Sequence, residues 1–189
     1  DAPKARLGIV TTGKAYNDVR QAFDELGIDE RLAAEIGIKL YKVGMPWPLE
    51  PSGIAAFARG LEEILVVEEK RQLVEYQLKE QLYNWRDDVR PRVVGKFDEK
   101  GEWVRPHGDW LLPAASELTP AMIARVIAKR IELLGLHPND ADRERIARRV
   151  EFINQKEAAL AKPRIGIART PYFCSGCPHN TSTRVPEGS

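Results

Sequence analysis

RLGIVTTGKAYNDVRQAFDELG, residues 6–27, is the stretch from which the architecture follows. Leu7 to Thr12 form a short apolar and β-branched run that reads as a buried strand. Gly13 turns it sharply. Beyond the turn, Val19, Ala22, Phe23 and Leu26 recur at helical spacing on one face, and Gly27 is placed to end the helix in a left-handed C-cap.

The same alternation continues downstream. IKLYKVG (38–44) reads as a second strand, and the three prolines of MPWPLEPSG (45–53) make a loop. Ser52 is placed to cap a helix over IAAFARGL (54–61). EEILVVEE (62–69) has the continuous apolar centre of a strand covered on both faces. RQLVEYQLKEQLYNW (71–85) is an amphipathic helix with Val74, Leu78, Leu82 and Trp85 on one stripe. PRVVGKFD (91–98) reads as a fourth strand. Residues 98–117 are punctuated by Gly and Pro and read as loop. Thr119 then caps a helix with Pro120 at its first position; Ile123, Val126, Ile127, Ile131 and Leu134 point inward and Gly135 closes it. A last helix is expected over 140–161. Strands alternating with helices predict an α/β fold: three layers, α/β/α, around a mainly parallel sheet with right-handed crossovers, plus extra C-terminal helices. The domain boundary is expected at Lys162, dividing the chain into 1–161 and 162–189, with RIGIART (164–170) a short strand-like run.

Composition narrows the function classes. With 43% apolar and 30% charged residues the chain can build a packed core, and a net charge of +1 gives no reason to expect nucleic-acid or membrane attraction. No apolar run reaches the length of a membrane span. Two cysteines in one CxxC are not a secreted disulfide framework, so a reducing, cytoplasmic compartment is expected. The missing initiator Met and the abrupt end suggest a piece of a larger protein.

Several segments could carry chemistry. Gly8 to Lys14 match a phosphate loop up to Ala15, which stands where that motif needs a hydroxyl for Mg²⁺; the residues between the glycines also read as strand. Gly13 as a tight turn, with Lys14 solvated or paired, explains the stretch better. Glu68 and Glu69 end the third strand, where α/β sheets gather ligands, but a solvated loop start or a domain contact accounts for them. Arg143, Arg145, Arg148 and Arg149, interspersed with Glu144 and Glu151, read as a solvated helix face with ion pairs. His107 and His137 sit beside Pro or Gly in loops, with no partner at ligand spacing, and are expected at the surface. No catalytic residue is assigned.

Cys174-Ser-Gly-Cys177-Pro-His179 is the remaining constellation. A CxxC turn can bring two thiolates to one metal or cluster, and Gly176 frees the backbone to make it. A thioredoxin-like dithiol would sit between an early strand and a long helix, and haem attachment needs CxxCH. Zinc or an iron–sulfur cluster needs two further ligands; His179 could be a third for zinc, and no fourth is evident. The sequence holds half a site.

The run PYFCSGCPHNTST (171–183), followed by PEGS, resembles the opening of the thiamine-diphosphate domain of the indolepyruvate:ferredoxin oxidoreductases, within the 2-oxoacid:ferredoxin oxidoreductase family. GIVTTGKAYNDVRQAF, LYKVGMPWPLEP, FARGLEEILVVEEKR and LVEYQLKEQLYN are similar to the preceding domain of the fused enzymes, which resembles the C-terminal domain of transketolase. The resemblance implies oxidative decarboxylation of an aryl or branched 2-oxoacid to an acyl-coenzyme A, with electrons leaving through [4Fe-4S] clusters to ferredoxin. It implies that Cys174 and Cys177 ligate a cluster and that Pro178, His179, Asn180 and Thr181 begin the thiamine diphosphate and Mg²⁺ site. It implies a homodimer and docking to other domains of the same polypeptide. None of these cofactors is expected on this piece alone. Met45 and Trp47, and Trp110-Leu111-Leu112, are the expected docking patches.

Overall fold

The structure, a computed structural model, describes residues 2, 4–101, 110–161, 173–186 and 188. By internal contacts the chain forms two compact units, Asp1–Gln155 and Lys156–Ser189.

In the first unit the elements alternate as β1 (Leu7–Thr12), α1 (Ala15–Leu26), α2 (Glu30–Ile36), β2 (Ile38–Val43), α3 (Pro51–Ala58), β3 (Glu63–Val67), α4 (Val74–Leu82), β4 (Arg92–Val94) and α5 (Pro120–Leu133). Helix α6 (Asp140–Ala161) follows. The four strands are all parallel, in the order β2-β1-β3-β4, with Leu7 opposite Ile38 on one side and Glu63 on the other. Alternation along the strands builds two cores. Leu7, Ile9, Leu65, Val67 and Val94 face a layer from α1, α2, α5 and α6, including Phe23, Leu32, Ile127 and Ile146. Val10, Ile64 and Val66 face α3 and α4 through Ile54, Ala58, Val74, Leu78 and Leu82. Both sheet faces are therefore covered, and the three-layer α/β fold expected from the strand–helix alternation is the fold observed.

Local chemistry fixes the helix ends. Gly27 closes α1 at φ 70°. Asp29 caps α2, accepting from Leu32 N at 2.7 Å, and Thr119 caps α5, accepting from Met122 N at 3.3 Å. Helix α2 has no counterpart in the sequence reading: seven residues hold too few turns for periodicity to show. The cap of α3 is Glu50, which accepts from Ser52 N and Gly53 N at 2.8 and 2.6 Å, so Ser52 is the second helical residue and not the cap. Helix α4 begins only at Val74; Trp85 lies beyond its end yet still packs on the second core. Strand β4 is three residues long, because Lys96 and Phe97 leave the sheet to meet 110–112.

That meeting reduces one expected patch to Trp110, which stays 52% exposed. Leu112 is fully buried, Leu111 packs on the first core, and Trp110 stacks on Phe97 with ring centroids 4.6 Å apart. Met45 and Trp47 do stand out, at 55% and 67% exposure. The strand expected over 164–170 and His107 lie outside the described residues.

Candidate functional site

Polar chemistry collects in three places. The first is the carboxyl end of the sheet, where the chain leaves β1 toward one face and β3 toward the other. Here Glu68 is buried, which corrects the solvated reading. Its carboxylate accepts from Leu73 N, Val74 N and Glu75 N at 3.0, 2.8 and 3.0 Å and so caps α4. Burial holds its pKa above the usual carboxylate range, against the opposing pull of those amides. Glu69 accepts from Leu118 N at 3.2 Å and lies 3.8 Å from Lys14. Lys14 also pairs with Asp18 at 2.7 Å and Glu117 at 3.1 Å, which raise its pKa. Gly8 to Thr12 run as strand, as the sequence reading had it, and Gly13 makes the turn at φ 56°. A side chain at Gly8 would put its Cβ 2.5 Å from Leu61 Cδ1 and 2.8 Å from Phe57 Cε1, so this glycine serves the approach of α3 and the turn after it to the sheet and not a phosphate cradle.

The second place is a set of buried charges that the periodicity concealed, from the amino end of β3 to the residues after β4. Arg130, on the inward face of α5, donates Nε to Glu63 Oε1 at 2.6 Å and Nη2 to Oε2 at 2.5 Å, both residues being 1% exposed or less. Its Nη1 reaches Glu99 at 2.9 Å. Lys96 is equally buried; its Nζ donates to Glu68 O at 2.5 Å and Pro113 O at 3.3 Å, and burial lowers its pKa. Glu75 accepts from Lys96 N at 3.0 Å and pairs with Lys79 at 2.5 Å. The isolated polar letters inside EEILVV and AKRIELL were the only sequence signal. The arginines of α6 behave as read: Arg143 pairs with Glu132 and Arg145 with Asp142, while Arg148 lies 3.6 Å from Glu144. His137 is held against Glu132 at 2.8 Å with its side chain 15% exposed, so it is mostly covered and not at the surface as expected.

The third place, in the second unit, is the cysteine turn. Cys177 N donates to Cys174 O at 3.0 Å, closing a turn that Gly176 permits at φ 79°. Pro178 begins a short helix, α7 (His179–Ser182). His179 Nδ1 lies 3.2 Å from Cys177 Sγ, its ring stacks on Phe173, and Asn180 Nδ2 donates to Cys174 O at 3.0 Å. The structure thus brings Cys174, Cys177, His179 and Asn180 together; Thr181 is on the same helix and exposed. Both thiols are free, Cys174 exposed and Cys177 half-buried. Two soft donors on one turn suit two corners of a cluster. Among the described residues no group of three or more His, Cys, Asp or Glu converges on a metal position.

A parallel three-layer α/β unit followed by a paired-cysteine turn defines the class, and sequence comparison defines the family. Residues 1–163 match the family described as the indolepyruvate ferredoxin oxidoreductase middle domain, and the chain belongs to it. It is 30% identical over 178 residues to the indolepyruvate oxidoreductase subunit IorA of Pyrococcus abyssi and 29% identical to that of Thermococcus kodakarensis. Each alignment covers 94% of this chain and 22% of the relative, so the chain spans about a fifth of the length of these relatives. Among solved structures, a 2-oxoglutarate:ferredoxin oxidoreductase from Magnetococcus marinus, with 2-oxoglutarate, coenzyme A and succinyl-CoA bound, aligns with 68% of this chain and 18% of its own. The identity is 20% and the TM-score 0.42. No helix among the described residues is long and apolar enough to cross a membrane.

Proposed function

We propose that the chain works as the middle domain of a longer cytoplasmic, homodimeric indolepyruvate:ferredoxin oxidoreductase. That enzyme converts an aryl or branched 2-oxoacid to its acyl-coenzyme A and passes the electrons to ferredoxin. The observation that carries the reading is the Cys174–Cys177 turn, two thiols on one hydrogen-bonded loop, shortly after a unit of the middle-domain family. When bound, thiamine diphosphate with Mg²⁺ supplies the electron sink and a [4Fe-4S] cluster accepts electrons one at a time.

This chain's own share is positional. Cys174 and Cys177 offer two of four thiolates, and Pro178, His179, Asn180 and Thr181 form the first edge of the thiamine diphosphate site. Residues 1–161 act as a docking domain, with Met45 and Trp47 exposed for contact with other domains of the polypeptide. The remaining cluster ligands come from residues outside this chain, and residues 162–189 open the next domain. The chain alone is inactive on this reading.

Iron and acid-labile sulfide, measured after anaerobic reconstitution, test it. The 189-residue chain is compared with one extended through the complete following domain. A four-iron cluster held only by the extended chain, and lost in Cys174→Ala, is the expected result. Stoichiometric metal on the short chain alone would make the site local and sink the reading.

A further inference from the structure

A cleft of about 610 Å³ opens at the carboxyl edge of the sheet, lined among others by Gly13, Pro46, Lys70, Gln72, Leu73 and Tyr76. It lies where the order β2-β1-β3-β4 reverses: the chain leaves β1 for β2 on one side, then returns past β1 to place β3 on the other. In open α/β sheets this switch point is where a crevice forms outside the strand ends. Its volume is that of a cofactor-sized ligand.

Three observations say what chemistry it takes. Gln72 is 6% exposed, lines the cleft, and its side-chain amide has no hydrogen-bond partner among the described residues. The amide atoms are open to the cleft, and they offer a donor and an acceptor side by side. That pair matches the adjacent acceptor and donor on the edge of an adenine ring. Pro46, Leu73 and Tyr76 supply apolar and aromatic walls, Leu73 and Tyr76 being 45% and 40% exposed. Lys70 and Arg71, also on the cleft, are exposed and make no ion pair among the described residues. Lys70 is the one non-glycine residue described at positive φ, 55°, a conformation that needs a reason.

The acidic residues of the cleft are already engaged. Glu68 is bound by three amides of α4, and Glu69 by Leu118 N and Lys14. Lys14 is in turn held by Asp18 and Glu117. Lys70 and Arg71 are thus the uncommitted charges on the cleft, and they are cations. We infer that the cleft binds a nucleoside diphosphate, with the base read by Gln72 against Tyr76 and Leu73 and the phosphates held by Lys70 and Arg71. It does so without a phosphate loop, and the inference stands whether or not the cysteine turn holds a cluster.

Calorimetric titration of the full-length polypeptide with ADP, adenosine and pyrophosphate as separate probes tests it. Gln72→Met keeps the side-chain volume and should weaken ADP and adenosine about tenfold while sparing pyrophosphate. Lys70→Gly suits the backbone at positive φ and should weaken ADP and pyrophosphate by about as much while sparing adenosine. A fourth titration identifies the source: competition between coenzyme A and ADP assigns the cleft to the nucleotide end of coenzyme A, and its absence assigns it to a free nucleotide. Either the failure of ADP to bind at millimolar concentration or ADP binding unchanged by both substitutions overturns the inference.

Discussion

The two units handle their polar groups in opposite ways. In Asp1–Gln155, Glu63, Glu68, Glu75, Lys96 and Arg130 are buried, and each is answered by a partner in the same unit. Among the described residues of Lys156–Ser189, Cys174 and His179 are exposed, Cys177 and Asn180 are half-buried, and α7 buries nothing. A unit whose buried charges close on themselves is built for stability and for presenting a surface. The described part of the second segment leaves Cys174 and His179 open to solvent and Cys177 only half-covered. The difference teaches where substitutions should be felt: in folding for the first unit and, on the proposed function, in cofactor binding for the second.

The largest effect is expected at Arg130. Arg130→Met leaves the Glu63 carboxylate buried without its bidentate partner. Removing one member of such a pair costs about 3–5 kcal/mol. Urea denaturation of the chain should show that loss, and the double variant Glu63→Leu/Arg130→Met should recover most of it, since an apolar pair needs no compensation. A single variant within about 1 kcal/mol of the parent, a loss typical of an exposed pair, would mean that the pair is solvated and the first unit is not the closed structure described.

Glu68 comes next. Glu68→Ala removes the acceptor for three amides at the start of α4 and should cost about 2 kcal/mol. The pH dependence has a definite sign. Because burial raises the folded-state pKa of Glu68, the folded protein holds this proton more tightly than the unfolded chain. Stability from this group is therefore full below the ordinary carboxylate pKa and falls as pH rises through the raised one. Glu132, held below its ordinary value by Arg143, runs the other way and loses its contribution as pH falls. Denaturation midpoints of the parent minus those of Glu68→Gln should decline across the window above the ordinary carboxylate pKa. A flat difference would show that Glu68 titrates normally.

These two sites also mark how far sequence reading reached. Strand and helix alternation, the stripe of Val74, Leu78 and Leu82 and the Thr119-Pro120 start were readable because they are periodic or local. Glu68 as a cap was not, because it reaches α4 from the end of β3, five to seven residues upstream, and no short motif encodes that distance. The Glu63–Arg130 pair joins residues 67 apart, a contact only the fold creates. Glu50 displaced Ser52 as a cap because a longer carboxylate before Pro51 can reach two amides at once. At the cysteine turn, residue chemistry gave the thiols and the turn. The approach of His179 to Cys177 depends on the start of α7 and was not foreseen as a contact.

The smallest stability effect is expected at the cysteine turn. Cys174→Ser and Cys177→Ser alter an exposed and a half-buried sulfur whose neighbours, His179 and the turn amide, are also outside any core. Exposed substitutions of this kind shift stability by about 0.5 kcal/mol or less. The unfolding midpoint of the 189-residue chain should therefore stay put in both variants. In the native parent both thiols should react with a thiol-specific reagent without denaturant. Slow labelling together with a clear stability loss in either serine variant would show that the cysteine turn is packed into a structure of its own. The contrast between a self-satisfied unit and an outward-facing segment would then fail at its second half, while the Arg130 and Glu68 results would leave the first half standing.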